Sequence, residues 1–167
     1  PIRAVGARRS TTVARVSLGC VTRLPDGGRR AMPLGARLAP DEVVKSGDAI
    51  DEPQLPARFP RDAVAITRSA QDFFQGASYL WGGITPWGAD CSGFVQTIFA
   101  LHGVPLPRDA WLQSETGDDA GALMDLKAAD LAFFSDRDDK SVTHVAMALR
   151  RRRVEHGPWR ADDVRAL

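Results

Sequence analysis

The cysteine at position 91 stands where a loop gives way to an amphipathic helix, in the segment GADCSGFVQTIF (88–99). The unpaired N–H groups and the dipole at the start of a helix stabilise a thiolate, which is the nucleophilic form of cysteine. Cys91 is therefore a candidate nucleophile. A buried structural cysteine is the alternative that position alone leaves open.

Two histidines stand on neighbouring predicted strands near the end of the chain. His144 opens the strand VTHVAMAL (142–149), and His156 closes the strand RVEH (153–156). If residues 150–152 form the tip of a hairpin, His144 faces His156 or its neighbour, and cross-strand Cβ atoms lie roughly 4.5–5.5 Å apart. One imidazole is then able to orient the other.

A thiol, a base and an orienting group are the parts of a thiol nucleophile system. Under this hypothesis Cys91 attacks a carbonyl, His144 removes and returns the proton, and His156 fixes the tautomer of His144. Two alternatives remain open: half-buried strand histidines with no chemical role, and a Zn²⁺ site with the same three residues as ligands. Because the pattern lacks closely spaced cysteines and a fourth ligand, we expect no metal and no cofactor.

The elements around these residues indicate an α+β fold, with helices packed on an antiparallel sheet. The apolar period predicts a helix over 61–76, with an apolar face of Val64, Phe73 and Phe74, and a second helix that carries Cys91. A short helix and three strands follow: PRDAWLQ (107–113), DLAFFS (130–135), VTHVAMAL (142–149) and RVEH (153–156).

The N-terminal part has a different composition and is predicted to be a small β module. Two alternating stretches, VARVSLGCVTRL (13–24) and RRAMPLGARL (29–38), predict strands, and PDGG (25–28) between them favours a turn. A proline-rich stretch without hydrophobic period then predicts a linker. The predicted domains are 1–50 (the β module), 51–60 (the linker) and 61–167 (the catalytic domain).

Cys20 and His102 are expected to have structural roles. Cys20 falls in a predicted strand of the β module, where a free cysteine usually belongs to the core. His102 stands at the end of the Cys91 helix, just before Gly103, and is expected to cap that helix or to lie at the surface.

Composition excludes some classes of function. The 167 residues include 22 basic and 21 acidic side chains, so the net charge is +1, which is evidence against nucleic-acid binding. No apolar run approaches the roughly 18 residues that a transmembrane helix needs. The chain begins at Pro1 rather than Met, so a preceding signal peptide is left open, as are the oligomeric state and the choice between the cell envelope and the cytoplasm.

Five segments resemble, in their order, the NlpC-type cell-wall cysteine peptidases, a family also labelled NlpC/p-sixty. These segments are YLWGG (79–83), DCSGFVQ (90–96), LPRDAW (106–111), DLAFF (130–134) and HVAMAL (144–149). The resemblance covers about residues 61–167 and implies a papain-like fold. Residues 23–38 resemble the end of a bacterial SH3-like domain, which often precedes this catalytic domain.

The resemblance implies hydrolysis of peptidoglycan stem peptides or muropeptides, and it is nearest to the γ-D-glutamyl-L-diamino-acid endopeptidases. In these enzymes the third catalytic position is often a histidine, which is His156 here. Tyr79 corresponds to the residue that, with the backbone N–H of Cys91, stabilises the oxyanion. The substrate-binding positions correspond to Asp90, Ser92, Arg108 and Asp109.

Charge suggests how these positions recognise a substrate. A half-buried carboxylate at Asp90 or Asp109 needs a cation, which the free α-ammonium of an N-terminal L-Ala would supply. Arg108 suits the α-carboxylate of D-Glu, which stays free when the peptide bond runs through the γ-carbon. The alternative is that Arg108 and Asp109 pair with each other at the surface.

Two departures from the family pattern concern the hairpin that carries the histidines. Ala129 replaces the glycine that usually precedes the aspartate of DLAFF, and four arginines, Arg150–Arg153, fill the predicted turn. The arginines are expected to be solvated or to contact anionic wall polymers. Two other functions also remain open: an inactive module that binds the cell wall, and an acyltransferase or amidase on the same scaffold.

Overall fold

The computed structural model describes residues 13–24, 26–150 and 153–155. The chain divides into two units, Pro1–Gln54 and Leu55–Leu167. Each unit has its own core and is described by itself.

The N-terminal unit consists of short strands in two antiparallel sheets of three strands. Their orders are β4-β1-β6 and β3-β2-β5. A 3₁₀ turn at Glu52–Gln54 follows the last strand. The strands are β1 (Arg15–Ser17), β2 (Cys20–Arg23), β3 (Arg29–Met32), β4 (Arg37–Leu38), β5 (Val43–Ser46) and β6 (Ala49–Asp51).

The stretch 13–24, which alternation predicts as one strand, is divided by the buried hydroxyl of Ser17. This hydroxyl accepts hydrogen bonds from the N–H groups of Gly19 and Cys20, both at 3.0 Å, and donates to the carbonyl of Met32 at 2.9 Å. A serine that bonds its own neighbouring backbone in this way favours a turn over a continuous strand. The chain therefore passes from one sheet to the other between β1 and β2.

Cys20 lies in the core of the N-terminal unit, as predicted, and is 1% exposed. It packs with Met32 and Leu38. A buried carboxylate, Glu42, accepts hydrogen bonds from Thr22 and Arg30 beside this core. The SH3-like character of the unit stays a prediction.

Residues 51–60 differ from the predicted linker. They contain the 3₁₀ turn and a helical turn, α1 (Leu55–Arg58). Phe59 is 4% exposed and packs against Phe73 and His102, with ring centroids 6.3 and 5.6 Å apart. Three prolines interrupt any hydrophobic period here, so the burial of Phe59 has no signature in the local pattern.

The C-terminal unit has the predicted α+β architecture. It has an antiparallel sheet of three strands, in the order β11-β10-β9, and an antiparallel pair of short strands, β7 and β8. The helices are α2 (Ala63–Phe74), α3 (Cys91–Leu101) and α4 (Ala110–Ser114), with a 3₁₀ turn at Leu123–Asp125. The strands are β7 (Ile84–Thr85), β8 (Gly88–Ala89), β9 (Leu131–Phe134), β10 (His144–Arg150) and β11 (Arg153–Glu155).

Helix α2 buries a different stripe from the predicted one. Ile66, Ala70 and Phe74 are buried at four-residue spacing, whereas Val64 is 72% exposed. At about 100° per residue, Val64 lies some 200° from Ile66 and so on the opposite side of the helix. The prediction that Val64 belongs to the apolar face is wrong for this reason.

Packing of α3 on the sheet brings the candidate catalytic elements together. Val95 of α3 and Val145 of β10 are 0% and 2% exposed and belong to one apolar cluster, which also includes Ala110 of α4. Burial of such side chains contributes about 1.5–3 kcal/mol each. The cluster therefore holds the first residue of α3 near the first residue of β10.

His102 is buried rather than at the surface. It occupies the C-cap position of α3 but is only 2% exposed. Its ring nitrogens lie 2.6 Å from the carbonyl oxygen of Pro60 and 2.9 Å from the hydroxyl of Ser69. Pro60 and Ser69 are distant from His102 in the sequence. The place of His102 at the end of the helix therefore predicted its capping position but not its burial.

The hairpin of β10 and β11 pairs Met147 with Glu155 and Ala148 with Val154. His156 lies outside the described residues, so its predicted pairing with His144 is not tested. Within the described ranges, no helix is both long enough and apolar enough to cross a membrane.

Candidate active site

Cys91 is the first residue of α3, as the sequence predicts, and Asp90 is the N-cap. The Asp90 carboxylate accepts a hydrogen bond of 2.7 Å from the N–H of Gly93. An aspartate at this position satisfies one of the free N–H groups at the helix start and places negative charge at the positive end of the dipole. Cys91 is partly exposed and its thiol is free.

The loop before the cysteine touches α3 at a point where only glycine fits. A Cβ atom on Gly93 would lie 2.2 Å from the carbonyl oxygen of Gly83, and one on Gly83 would lie 2.4 Å from the carbonyl oxygen of Gly88. The N–H of Asp90 donates to the same Gly83 carbonyl at 3.1 Å. The glycines of YLWGG and DCSG thus allow two backbones to meet directly beneath Cys91.

Arg108 binds Asp90 with both arms of its guanidinium. The nitrogen–oxygen distances are 2.9 and 2.6 Å, and a further hydrogen bond of 2.9 Å reaches the hydroxyl of Ser92. Asp90 thus has an internal cation, whereas the sequence analysis expected a substrate ammonium at Asp90 or Asp109. The alternative pairing of Arg108 with Asp109 is wrong, because the guanidinium turns towards the start of α3.

Burial raises the pKa of Asp90, but hydrogen bonds from Arg108 and from the N–H groups of Gly93 and Gly82 outweigh it. The net result is a pKa below the ordinary value for aspartate. Asp90 is 8% exposed. It therefore stays ionised as a structural anion that joins the loop, the helix start and Arg108.

Tyr79 begins the loop before the cysteine and is anchored to it by a bridge to Ala89. Partial burial raises its pKa, and the charges of Cys91 and Asp90 raise it further, while Arg108 opposes them. The phenol therefore keeps its proton at neutral pH and is able to donate a hydrogen bond. Its side chain lines both cavities that adjoin Cys91.

One cavity, of about 200 Å³, joins Cys91 to His144. Its walls are mostly apolar, with Phe74, Phe94 and Val145 among them. His144 is 6% exposed and is the cross-strand neighbour of Phe134. We call this cavity the apolar pocket.

The other cavity, of about 560 Å³, lies on the side of Asp90 and Arg108. We call it the charged cleft. It brings Cys91 and the four residues predicted to bind substrate into one wall. Its lining includes Cys91, Asp90, Ser92, Arg108, Asp109, Trp81, Trp111, Arg137, Ser141 and Thr143.

Asp109 lines the charged cleft. It is exposed and stands at the N-cap of α4, yet its side chain makes no capping hydrogen bond. It forms no ion pair with the described residues. Its charge helps to raise the pKa of Arg108, after the larger effect of the Asp90 hydrogen bond. Of the two acids predicted to meet a substrate cation, Asp109 is thus the one whose carboxylate is in no hydrogen bond or ion pair with the described residues.

Gln113 and two tryptophans were missed by the sequence analysis. The buried amide of Gln113 donates to the carbonyls of Ser92 and Pro107, at 3.0 and 2.9 Å, and so ties α4 to the start of α3. Trp81 and Trp111 are 84% and 50% exposed and line the charged cleft. Both tryptophans lie within the quoted motifs, YLWGG and LPRDAW, which was the available signal.

No group of three or more histidine, cysteine or acidic side chains in residues 13–24, 26–150 and 153–155 is arranged to hold a metal ion. The third ligand of the alternative Zn²⁺ site, His156, is outside these ranges. Cys91 and His144 thus share a pocket without a third described ligand.

Known proteins resemble this chain in sequence. It is 38% identical over 116 residues to gamma-D-glutamyl-L-lysine dipeptidyl-peptidase of Bacillus subtilis strain 168, which covers 64% of this chain and 39% of the relative. It is 32% identical over 109 residues to the bifunctional muramidase/DL-endopeptidase CwlT of the same strain, covering 64% and 33%. The chain thus spans less than half the length of these curated relatives.

A solved structure and a family model agree with the fold. An NlpC/P60 family protein from Bacillus cereus ATCC 10987 superposes with a TM-score of 0.67 at 24% identity, over 92% of this chain and 57% of that one. The model of the NlpC/P60 family matches residues 76–166, which is more than half of the chain. This chain therefore belongs to the NlpC/P60 family.

Proposed function

We propose that this chain is a cysteine peptidase that hydrolyses peptidoglycan stem peptides. The observation that carries the proposal is the position of Cys91, which starts α3 and lines the apolar pocket with His144 and the charged cleft with Asp109. The names of the relatives, a gamma-D-glutamyl-L-lysine dipeptidyl-peptidase and a DL-endopeptidase, support the substrate class.

The proposed bond is the one between γ-D-Glu and the diamino acid. The thiolate of Cys91 attacks the γ-carbonyl carbon, and the backbone N–H of Cys91 and the phenol of Tyr79 donate to the oxyanion. His144 takes the thiol proton and passes it to the leaving amine. Water, deprotonated by His144, then attacks the thioester and releases a carboxylate and the free thiol.

His156 is proposed as the third catalytic residue, on sequence grounds. It would accept a hydrogen bond from the remote ring N–H of His144 and so fix its tautomer. A neutral imidazole orients less strongly than a carboxylate, so His156→Ala should cost less activity than His144→Ala. If His156→Ala were fully active, Glu155 would be the next residue to test.

The proposed substrate carries a free N-terminal L-Ala. Because Arg108 already neutralises Asp90, the ammonium contact is assigned to Asp109, whose carboxylate faces the charged cleft. Asp90, Ser92 and Arg108 then form the wall of this subsite. All four residues thus remain in the proposed substrate-binding site, and Asp109 is the one that pairs with the ammonium.

The domain assignment is likewise proposed: residues 61–167 as the catalytic domain and residues 1–50 as an SH3-like module. Two sheets of short antiparallel strands support the second part. Expression of residues 55–167 alone, compared with the full chain on the same peptide, would test whether the module is needed for hydrolysis.

The deciding experiment is digestion of L-Ala-γ-D-Glu-L-Lys and its N-acetylated form, followed by mass spectrometry. We expect L-Ala-γ-D-Glu and lysine from the free peptide, and a rate lower by up to roughly 10⁴-fold for the acetylated one. Equal rates would show that the amine is not recognised. Transfer to an added labelled amine would indicate an acyltransferase, and no turnover with no iodoacetamide labelling of Cys91 would indicate a binding module.

A further inference from the structure

The charged cleft is lined by a second arginine, Arg137, which neither the motifs nor the proposed mechanism uses. Arg137 lies in the connection 135–143 between β9 and β10, directly before His144. The residue lines the charged cleft together with Cys91 and Asp109. The wall formed by this connection faces the same space as the Asp90–Arg108 pair.

The connection is held in shape by its own hydrogen bonds. The hydroxyl of Thr143 donates to Asp136 at 2.8 Å, and the N–H of Thr143 donates to the carbonyl of Phe134 at 2.9 Å. Ser141 donates to the carboxylate of Asp139 through both its N–H and its hydroxyl, at 2.9 and 2.7 Å. Side-chain bonds of this kind stabilise turns, so Arg137 projects from an ordered support.

The two arginines of the cleft differ in their availability. Arg108 is engaged by both oxygens of Asp90. Arg137 is exposed and forms no ion pair with the described residues. The neighbouring carboxylate of Asp139 accepts two hydrogen bonds from Ser141, which lower its pKa more than the charge of Arg137 does. Arg137 is thus the cation of the cleft that is open to a ligand.

We propose that Arg137 binds the free α-carboxylate of the D-Glu residue and makes the enzyme selective against stem peptides in which this group is an amide. The inference rests on the proposed function. A γ-linked D-Glu keeps its α-carboxylate, separated from the scissile carbonyl by a short methylene chain. A guanidinium binds a carboxylate through two parallel hydrogen bonds, and a carboxamide offers one acceptor and no charge.

This assignment completes the charges of the cleft. Asp109 meets the α-ammonium of L-Ala, Arg137 meets the α-carboxylate of D-Glu, and Asp90 and Arg108 neutralise each other. The ammonium and the carboxylate of the dipeptide then each have one protein partner that is not held in an ion pair with a described residue.

The test compares L-Ala-γ-D-Glu-L-Lys with L-Ala-γ-D-isoglutaminyl-L-Lys, which differ only in carboxylate and carboxamide. We expect the wild-type chain to favour the carboxylate in kcat/KM by about tenfold to a hundredfold. Arg137→Ala should reduce that ratio to near one, by slowing the carboxylate substrate alone. Arg137→Lys should retain part of the preference, since charge persists without the planar fork. Lys140→Ala is the matched control, because it removes a charge from the same connection outside the cleft lining.

Because both substrates are measured on one preparation, the ratio does not depend on the fraction of the variant that folds. An unchanged ratio in Arg137→Ala, or an equal loss on both peptides, would overturn the role of Arg137 while leaving the peptidase proposal intact. Failure of the wild-type chain to cleave either peptide would instead overturn the proposed function.

Discussion

The two cavities beside Cys91 are built by different forces. The charged cleft is about 560 Å³ and is shaped by hydrogen bonds and ion pairs, as in the contact of Arg108 with Asp90. The apolar pocket is about 200 Å³ and is shaped by packing, as in the edge-to-face contact of Phe74 with Phe94 at 5.1 Å. Tyr79, Asp90 and Cys91 line both cavities. Under the proposed function, recognition belongs to the charged cleft and proton transfer to the apolar pocket.

This difference indicates a division of labour. Polar groups fixed in a cleft reject a substrate that lacks their partners, so the charged side governs specificity. Under the proposed mechanism, an apolar surround limits water near His144 and strengthens its electrostatic interaction with Cys91. Substitutions on the charged side should therefore change which peptides are cleaved, and those on the apolar side should change stability and turnover alike.

The largest effect should follow from removal of the atom that both cavities share. Cys91→Ala should lower kcat by more than about 10³-fold, because alanine has no nucleophilic atom to replace the sulfur. Thermal unfolding should change little, because the residue is small and partly exposed. Retention of one tenth of the activity would show that the chemistry does not depend on this sulfur.

Arg108→Ala should separate the charged side from the apolar side. Loss of its hydrogen bonds to the Asp90 carboxylate should cost about 1.5 kcal/mol or more in unfolding free energy and at least tenfold in kcat/KM. Arg68→Ala is the matched control, because its pair with Asp72 is exposed at both ends and should cost less than about 0.5 kcal/mol.

The pH dependence of Arg108→Ala adds a check on the cause. The depressed pKa of Asp90 contributes stability that is present above the pKa of an unfolded aspartate, about 4, and is lost as pH falls through the folded pKa. Without Arg108 that pKa should rise. The stability gap between wild type and variant, measured by denaturant unfolding, should therefore be widest near pH 7 and close below about pH 4. A gap independent of pH would point to lost packing instead.

Phe94→Ala should affect the apolar side. We expect a loss of about 2 kcal/mol, smaller than the 3–5 kcal/mol typical of a fully buried phenylalanine because Phe94 is half-buried. The preference for a carboxylate over a carboxamide substrate should persist while turnover falls. A change in that preference with unaltered stability would contradict the separation of the two cavities.

The smallest effect is expected at Ala129, two residues before β9. Its φ of 68° lies in the left-handed region, and its N–H donates to the carbonyl of Ala148 at 2.7 Å. Ala129→Gly should raise stability by up to about 1 kcal/mol, because relief of strain exceeds the entropy that glycine loses. Ala132→Gly, on β9, should have the opposite sign. A destabilised Ala129→Gly variant would refute the strain.

The glycine that the family pattern places at position 129 is thus explained by the backbone. The sequence identified Ala129 as a departure from the family pattern. Only the backbone conformation of the turn before β9 shows that alanine is strained there. The same limit applies to the helices: apolar spacing predicted α2 and α3, but which side of α2 is buried depends on its contacts with α3, such as that of Phe74 with Phe94.

The sequence by itself determined the order of α2, α3, α4, β9, β10 and β11 in the C-terminal unit and the position of Cys91 and His144 at the starts of α3 and β10. These features follow from local periodicity, capping and glycine placement, which neighbouring residues decide. Tertiary structure alone decided that Arg108 neutralises Asp90 across 18 positions, that Asp109 forms no ion pair with the described residues, and that Arg137 lines the cleft. Such pairings depend on which segments the core brings together, and no local pattern encodes that choice.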